Sequence, residues 1–463
     1  MIELTRKNIR AVRSTIRQSL GITARRAPGI TLLATDSQLQ IQAVSDTVAI
    51  EIRLPGQYQP ECFAIPYNAL TACEGRQDDL VSFTKSDDTL VVQWTDKGIP
   101  QSASFPMSEP AEVPCRPETL TSIEPRFLTA MANAVATTQK EEGRFALNCI
   151  RLRGSDGQIA ATDSSQAFVE TGYSFPWQDE LLVFASRAFA SSSFSGADEV
   201  LIGRTEDWVS IQVNSHTLHL KINKEGRFPS IDQQIPAQGS PATTLALSDD
   251  DVEFLLTSTT RLPGASEPNS PVTVDLNGVV AIRAAAADMT NSTELVLSNS
   301  RRVGNEVRFS TNRQFLNRAA KLGFREIHLR DAEAPAYCQD DRRTYIWALL
   351  SAADRFKDNS QSVRISSPVN SSNHIPKPRT NFVMTTSQPT ATRTATPRPA
   401  ATANSESDPA PSLLHQAEAL RDSLSTALSD TRDLIGSIKR HQKQNRLVKT
   451  TLRSLKQLEH IGA

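Results

Sequence analysis

The chain has 463 residues, 38% of them hydrophobic, and a formal net charge of -1 at pH 7. That length suits about three domains of roughly 150 residues, and the balanced charge excludes bulk attraction to nucleic acid, leaving any such binding to local basic patches. The five cysteines, Cys62, Cys73, Cys115, Cys149 and Cys338, are scattered and never paired as C-x-x-C, which argues against a disulfide framework or a zinc site and for a reducing, cytoplasmic setting with the cysteines as small buried apolar residues.

The opening "MIELTRKNIRAVRSTIRQSL" is charged throughout, unlike a signal peptide. It predicts an amphipathic helix, with Ile9, Val12, Ile16 and Leu20 at three- and four-residue steps. Strand-like alternation follows in "TLLATDSQLQIQAV", then a second helix in "FAIPYNALTACEG" and further strands in "DLVSFTKSDDTLVVQWT". No stretch reaches the roughly 20 apolar residues of a membrane span, so no membrane is expected as a partner.

The same order then recurs. "EPRFLTAMANAVATT" predicts a helix with proline in its first turn, "NCIRLRGSDGQIAATD" a hairpin around Asp156-Gly157, "LVFASRAFASSSFSG" a second helix, and "EVLIGRTEDWVSIQV" more strands. "KEGRFPSIDQQIP" is an exit turn. A third round starts at "SDDDVEFLLTSTTRL", where Ser248 and the aspartates suit a helix N-terminus. It continues through "PVTVDLNGVVAIRA" with its Asn277-Gly278 turn, "VRFSTNRQFLNRAAKLG" and "EIHLRD". The helix starts lie about 120 residues apart, a period one small domain long. Three unrelated α+β domains would leave the shared order and turn chemistry unexplained.

Residues from about 357 to 411 are rich in Ser, Thr, Pro, Asn and Ala, a composition that predicts a disordered linker. Beyond it, Leu413, Ala417, Leu420, Leu424, Ala427, Thr431, Leu434 and Ile438 form a heptad seam. This predicts a coiled-coil helix that self-associates or folds as a hairpin, with a single docked helix as the alternative.

"GRFPSIDQQIP" and "RFALNCIRLRGSDGQIAATDSSQAFVE" resemble the middle domain of the bacterial DNA polymerase III beta subunit, the sliding clamp; "FAIPYNAL" is similar to its first domain. The likeness covers about residues 1–352. It implies three repeated DNA-clamp domains of α+β class, each with two helices under a curved antiparallel sheet, at residues 1–121, 122–238 and 239–355. The linker at 356–411 and the coiled-coil tail at 412–463 then follow. It also implies a non-enzymatic processivity factor that closes head to tail as a homodimer ring around duplex DNA. Such a ring tethers DNA polymerase, and clamp-loader subunits are further partners.

In a clamp the helices line the hole and should present cations to phosphates. The candidates are Arg6, Lys7, Arg10, Arg13, Arg17, Arg25 and Arg26 from the first helix and its exit, Arg126, Arg144 and Arg187 from the middle unit, and Arg313, Arg318 and Lys321 from the third. A solvated helix face is the other reading of such charges. The family's partner groove maps onto Leu147, Thr162, Ala167, Pro229, Ile235 and Ile346. This chain departs from the pattern with Ser164, Ser165 and Gln166, with Gln234, and with a chain that continues past "TYIWALLSAADRF". On the ring-closing edge Gln101 and Ala103 stand where larger apolar residues are expected, with Leu262 as an opposing partner.

No cofactor, metal site or catalytic residue is predicted. Neither a Walker nor a dinucleotide loop occurs. His216 and His219 fall on opposite faces of a strand, serines lack the Gly-x-Ser-x-Gly setting, and Asp46 and Asp163 suit turns.

Overall fold

The computed structural model describes residues 1–22, 27–86, 88–139, 145–235, 241–286, 292–351, 356 and 362–369. The candidates Arg25, Arg26 and Arg144, the coiled-coil seam and most of the linker lie outside them. All described residues belong to one compact unit, 1–376.

The first repeat runs β1 (Ile2–Thr5), α1 (Arg6–Leu20), β2 (Gly29–Thr35), β3 (Gln38–Val44), β4 (Val48–Pro55), β5 (Glu61–Pro66), α2 (Tyr67–Cys73), β6 (Leu80–Ser86), β7 (Thr89–Asp96) and β8 (Ile99–Pro106). The second runs β9 (Thr121–Ile123), α3 (Arg126–Val135), β10 (Cys149–Arg153), β11 (Gln158–Thr162), β12 (Gln166–Glu170), β13 (Glu180–Phe184), β14 (Val200–Arg204), β15 (Trp208–Val213) and β16 (His216–Lys221). The third runs β17 (Thr243–Ala246), α4 (Asp249–Ser258), β18 (Pro271–Asp275), β19 (Val280–Ala284), β20 (Thr293–Leu297), β21 (Arg301–Gly304), β22 (Arg308–Asn312), α5 (Arg313–Lys321), β23 (Glu326–Leu329), β24 (Ala336–Gln339) and β25 (Arg343–Trp347).

The fourth strand of one repeat pairs with the last strand of the next, so the sheets are continuous across repeats. β4 joins β16 antiparallel, from His216↔Ile52 to Leu220↔Val48. β12 joins β25 antiparallel, from Gln166↔Trp347 to Glu170↔Arg343. Period-2 burial, as in Leu39, Ile41 and Ala43 of β3, puts one face of each sheet against helices. The hairpin at Asp156-Gly157 forms as expected. Gly157 takes φ +61, and a Cβ there would lie 1.8 Å from the Tyr173 carbonyl oxygen, so only glycine fits.

The helices form one row. α1 packs against α2 and, across the first joint, against a 3-10 turn at Arg187–Ala190; that turn packs on α3, and α4 packs on α5. Hydroxyls seal the first crossing: Ser186 Oγ donates to the Ser19 carbonyl at 2.7 Å, and Thr15 Oγ1 lies 2.9 Å from Ser193 Oγ.

Three expectations about the fold need correction. The middle repeat has one α-helix, not two; its second is reduced to the 3-10 turns Arg187–Ala190 and Ser192–Phe194. Ser191, Ser192, Ser193 and Ser195 crowd this segment, and serine hydroxyls bond neighbouring backbone in competition with a helix, as Ser195 Oγ does to the Ser192 carbonyl. Second, the region read as linker contains a strand, β26 (Val363–Ser366), paired parallel to β20. Its short β-branched run is hidden by the polar composition averaged around it. Cys62 and Cys115 are also exposed rather than buried.

Candidate nucleic-acid interface

On α1, Ile9, Val12 and Ile16 turn inward, and Thr5 caps the start by accepting from the Asn8 amide at 3.1 Å. The opposite face exposes Lys7, Arg10 and Arg17, spaced three and seven apart, which helical geometry sets on one stripe with no acidic residue among them. Arg187 and Lys321 are also exposed.

The remaining described candidates are engaged within the protein. Arg6 is 7% exposed. Its guanidinium donates to the Cys73 and Glu74 carbonyls at 3.2 and 3.1 Å, closing the C-terminus of α2, and to Asp96 at 2.8 Å. Arg313, the first residue of α5, is 2% exposed and donates to the carbonyls of Thr259, Leu262, Pro263, Ser270 and Pro271 at 2.6–3.3 Å. Arg6 and Arg313 thus play related parts: each opens one helix of its repeat and donates to the carbonyl at the end of the other, Arg313 also serving the chain that leads from α4 into β18. Burial lowers the pKa of Arg313 from its ordinary value. This placement corrects the expectation that these two arginines face outward. A guanidinium is the group that can serve several carbonyls at once without deprotonating.

Arg318 crosses from the third repeat to the second, donating to the Asn133 and Ala136 carbonyls at 2.6 and 2.8 Å and to Thr137 Oγ1 at 2.7 Å, with its guanidinium 5.6 Å from the Tyr345 ring. It closes the C-terminus of α3, and burial lowers its pKa. Arg13 pairs with Glu74 at 2.5 Å; burial opposes its charge, but the Glu74 carboxylate outweighs this and raises the pKa. Arg126 pairs with Glu124 at 2.5 Å and lies over the Tyr173 ring. The exposed start of α4 is acidic, with Asp249, Asp250 and Glu253, and Asp249 takes Arg325 at 2.6 Å. Positive charge on the described helix row is therefore concentrated on α1.

The groove candidates fall mainly on the other face of the second joint. Thr162, Ala167 and Ile346 are successive cross-strand neighbours on β11, β12 and β25, followed by Tyr337 on β24. Ala167 and Ile346 pack with Ala160, Val169 and Ile231, and Ile235, Phe228 and Tyr337 close around them. Thr162 is buried and donates to the Gln166 carbonyl at 2.7 Å. Leu147 and Pro229 are half-buried and are not among the residues of this cluster.

The exit segment at residues 226–235 is what lies over this row. Arg151 donates to Asp232 at 2.9 and 2.8 Å and stands 5.0 Å from the Phe228 ring, and Ile231 is buried beneath the segment. Ile231, Phe228 and Tyr337 were not singled out from sequence. The signal for Ile231 is its place between two turn-forming stretches, where an apolar residue must find a surface.

Leu262, expected at an intersubunit edge, is 4% exposed and gives its carbonyl to Arg313. His219 is fully buried, with Nε2 3.0 Å from Glu51 and Nδ1 2.8 Å from Ser210 Oγ. Glu51 also takes Arg116 at 2.6 Å. Burial raises the Glu51 pKa, but the bonds from His219 and Arg116 outweigh it and bring the carboxyl down to about 2. This buried cluster ties β4 to β16. Among the described residues no three His, Cys, Asp or Glu side chains gather to hold a metal, and no helix is long and apolar enough to cross a membrane.

No protein-family model matches the chain, and no curated protein matches it significantly. Solved structures do. The DNA polymerase III beta subunit sliding clamp of Pseudomonas aeruginosa, bound to griselimycin, is 16% identical with a TM-score of 0.61, covering 76% of this chain and 99% of that one. The beta subunit from the DNA polymerase of Streptococcus pyogenes is 12% identical with a TM-score of 0.62, at the same coverage. The DNA polymerase III beta subunit of Thermotoga maritima is 13% identical with a TM-score of 0.59, covering 76% and 99%. The chain has the sliding-clamp fold.

Proposed function

We propose that this protein is a divergent member of the DNA polymerase III beta clamp family, a non-catalytic processivity factor. Two copies close head to tail around duplex DNA and tether a polymerase or repair partner, with a clamp loader opening the ring. The observation that carries this reading is the repeated joint. β4–β16 and β12–β25 link successive repeats by one rule, and the rule leaves β8 and β20 as the two strands through which a second copy would continue the sheet.

On this reading Lys7, Arg10, Arg17, Arg187 and Lys321 meet phosphates, and Arg25, Arg26 and Arg144 add to them. The contacts are to backbone only, so association is independent of base sequence and falls by roughly 0.9 log unit per log unit of salt for each phosphate neutralised. Thr162, Ala167 and Ile346 form the buried floor of the groove, and the half-buried Ile235, Phe228 and Tyr337 around it meet an apolar peptide of the partner. The groove's preference differs from the family's usual one through the departures at Ser164, Ser165, Gln166 and Gln234.

The test is retention on DNA. A closed ring stays on covalently closed circles and is lost from linear DNA through free ends; equal loss from both would reject encirclement. A second reading, a clamp-fold scaffold that does not encircle DNA, is favoured by one feature: β26 lies along β20.

A further inference from the structure

We infer that residues 362–369 form an intrachain cap on the edge through which the ring would close, so that a second copy's β8 must displace β26 before the sheet can continue. The inference rests on the two-copy ring proposed above.

The edge strand of a sheet presents one row of amide and carbonyl groups, and one strand can use it at a time. β8 leaves its row open: it pairs with β7 alone among the described strands, and Ile99 is 63% exposed. β20 does not. β26 runs parallel to it from Thr293↔Val363 to Val296↔Ser366, nearly its whole length. The Val363 amide donates to the Ser292 carbonyl at 3.0 Å and the Ser367 amide to the Val296 carbonyl at 2.9 Å. By the alternation of a parallel pair, the Ile365 amide between them faces the same strand.

Side chains hold both ends of the cap. Ser362 Oγ lies 2.6 Å from Ser292 Oγ at one end. At the other, Ser367 Oγ donates to Asp251 at 2.5 Å and accepts from the Ser298 amide at 2.8 Å, and the Pro368 carbonyl accepts from Asn299 Nδ2 at 2.8 Å. Asp251 is fully buried and also takes Ser300 Oγ at 2.6 Å, so the cap is built into the first turn of α4 and the turn after β20.

The cap also reproduces the electrostatics of the intrachain joints. Glu51 on β4 bonds His219 on β16, and Glu170 on β12 stands opposite Arg343 on β25. Glu294 on β20 is 1% exposed and takes Arg364 of the cap at 2.6 Å beside Arg283 at 2.5 Å. β8, from Ile99 to Pro106, contains no charged residue to offer in its place. A partner's β8 therefore competes against a cap that satisfies both the backbone and the buried carboxylate. Because both copies must be uncapped for the two joints to close, the apparent dissociation constant of the ring becomes the intrinsic constant divided by the square of the uncapped fraction.

Two variants of the full chain test this, read by absolute mass in solution across concentration and by retention on circular against linear DNA. Ile365→Pro removes the central amide and displaces the strand; all four residues of β26 are exposed, so the cores of the repeats are untouched. Ser292→Cys with Ser362→Cys locks the cap by a disulfide that reductant opens, with Ser362→Cys alone as control for Cys62 and Cys115. Ile365→Pro is expected to lower the monomer–dimer midpoint about tenfold or more, while the oxidised lock stays monomeric where its reduced form associates. If the oxidised lock dimerises at the same midpoint as Ile365→Pro, the cap does not gate closure and the inference falls while the ring stands. If Ile365→Pro is monomeric at every concentration and is not retained on circles, the ring reading falls and the inference with it.

Discussion

Replacing Arg313 by methionine keeps the aliphatic stem and deletes the guanidinium. Five carbonyls lose their donor in a site that is 2% exposed. Hydrogen bonds to a charged group contribute about 1.5–3 kcal/mol each, and a buried acceptor left alone costs about 1–3 kcal/mol. These contributions do not add, because the five acceptors share one cation. The two shortest bonds, to Pro263 at 2.6 Å and Leu262 at 2.7 Å, set the scale, and the expected loss is about 3–5 kcal/mol. That is a large part of one domain's stability of roughly 5–15 kcal/mol. The third repeat should then unfold in a separate, earlier transition, seen in denaturant titration followed by far-UV circular dichroism. Arg313→Lys should recover little, since an ammonium cannot span five carbonyls. The salt slope of DNA binding should not change for either variant at low denaturant. A loss under about 1 kcal/mol, or a slope reduced by about one phosphate, would refute the assignment of Arg313 to the carbonyl cluster.

Lys7→Ala, Arg10→Ala and Arg17→Ala together should reduce the salt slope of DNA binding, measured by fluorescence anisotropy, by up to about three phosphates, while each alone moves stability by no more than roughly 0.5 kcal/mol. Arg318→Ala should cost about 2–4 kcal/mol and loosen the contact between the second and third repeats, read as faster amide exchange at the end of α3. For Glu51, the folded carboxyl sits near 2 against an ordinary value of 4.5, so its contribution is full above that ordinary value and is lost as pH falls towards 2. The stability gap between wild type and Glu51→Gln, followed by thermal melts, should therefore close between about pH 4.5 and pH 2; a gap constant over that window would show the carboxyl is not held by His219 and Arg116.

Much of the fold is legible in residue order. The apolar spacing of Ile9, Val12 and Ile16, the Asp156-Gly157 turn and the threefold recurrence of helix and strand are local signals, and local signals survive in one dimension. The serine run after Arg187 is a local signal too, since hydroxyl competition with a helix acts within a few residues. The candidate site was less legible. Arg6, Lys7 and Arg10 look alike along the chain, yet Lys7 and Arg10 meet solvent and Arg6 meets the end of α2, because only the packed position of a second helix decides which cation has carbonyls in reach.

The sequence alone therefore determined the repeat, its class and the supply of charge, all of which depend on neighbours within a few residues. The tertiary structure decided which arginines remain free and which row of apolar side chains becomes a surface. It also decided that four residues beyond the third repeat take the open edge of β20. Those outcomes depend on backbone groups brought together from opposite ends of a repeat, where burial makes each unpaired donor or acceptor costly, and no pattern of spacing records which partner will arrive.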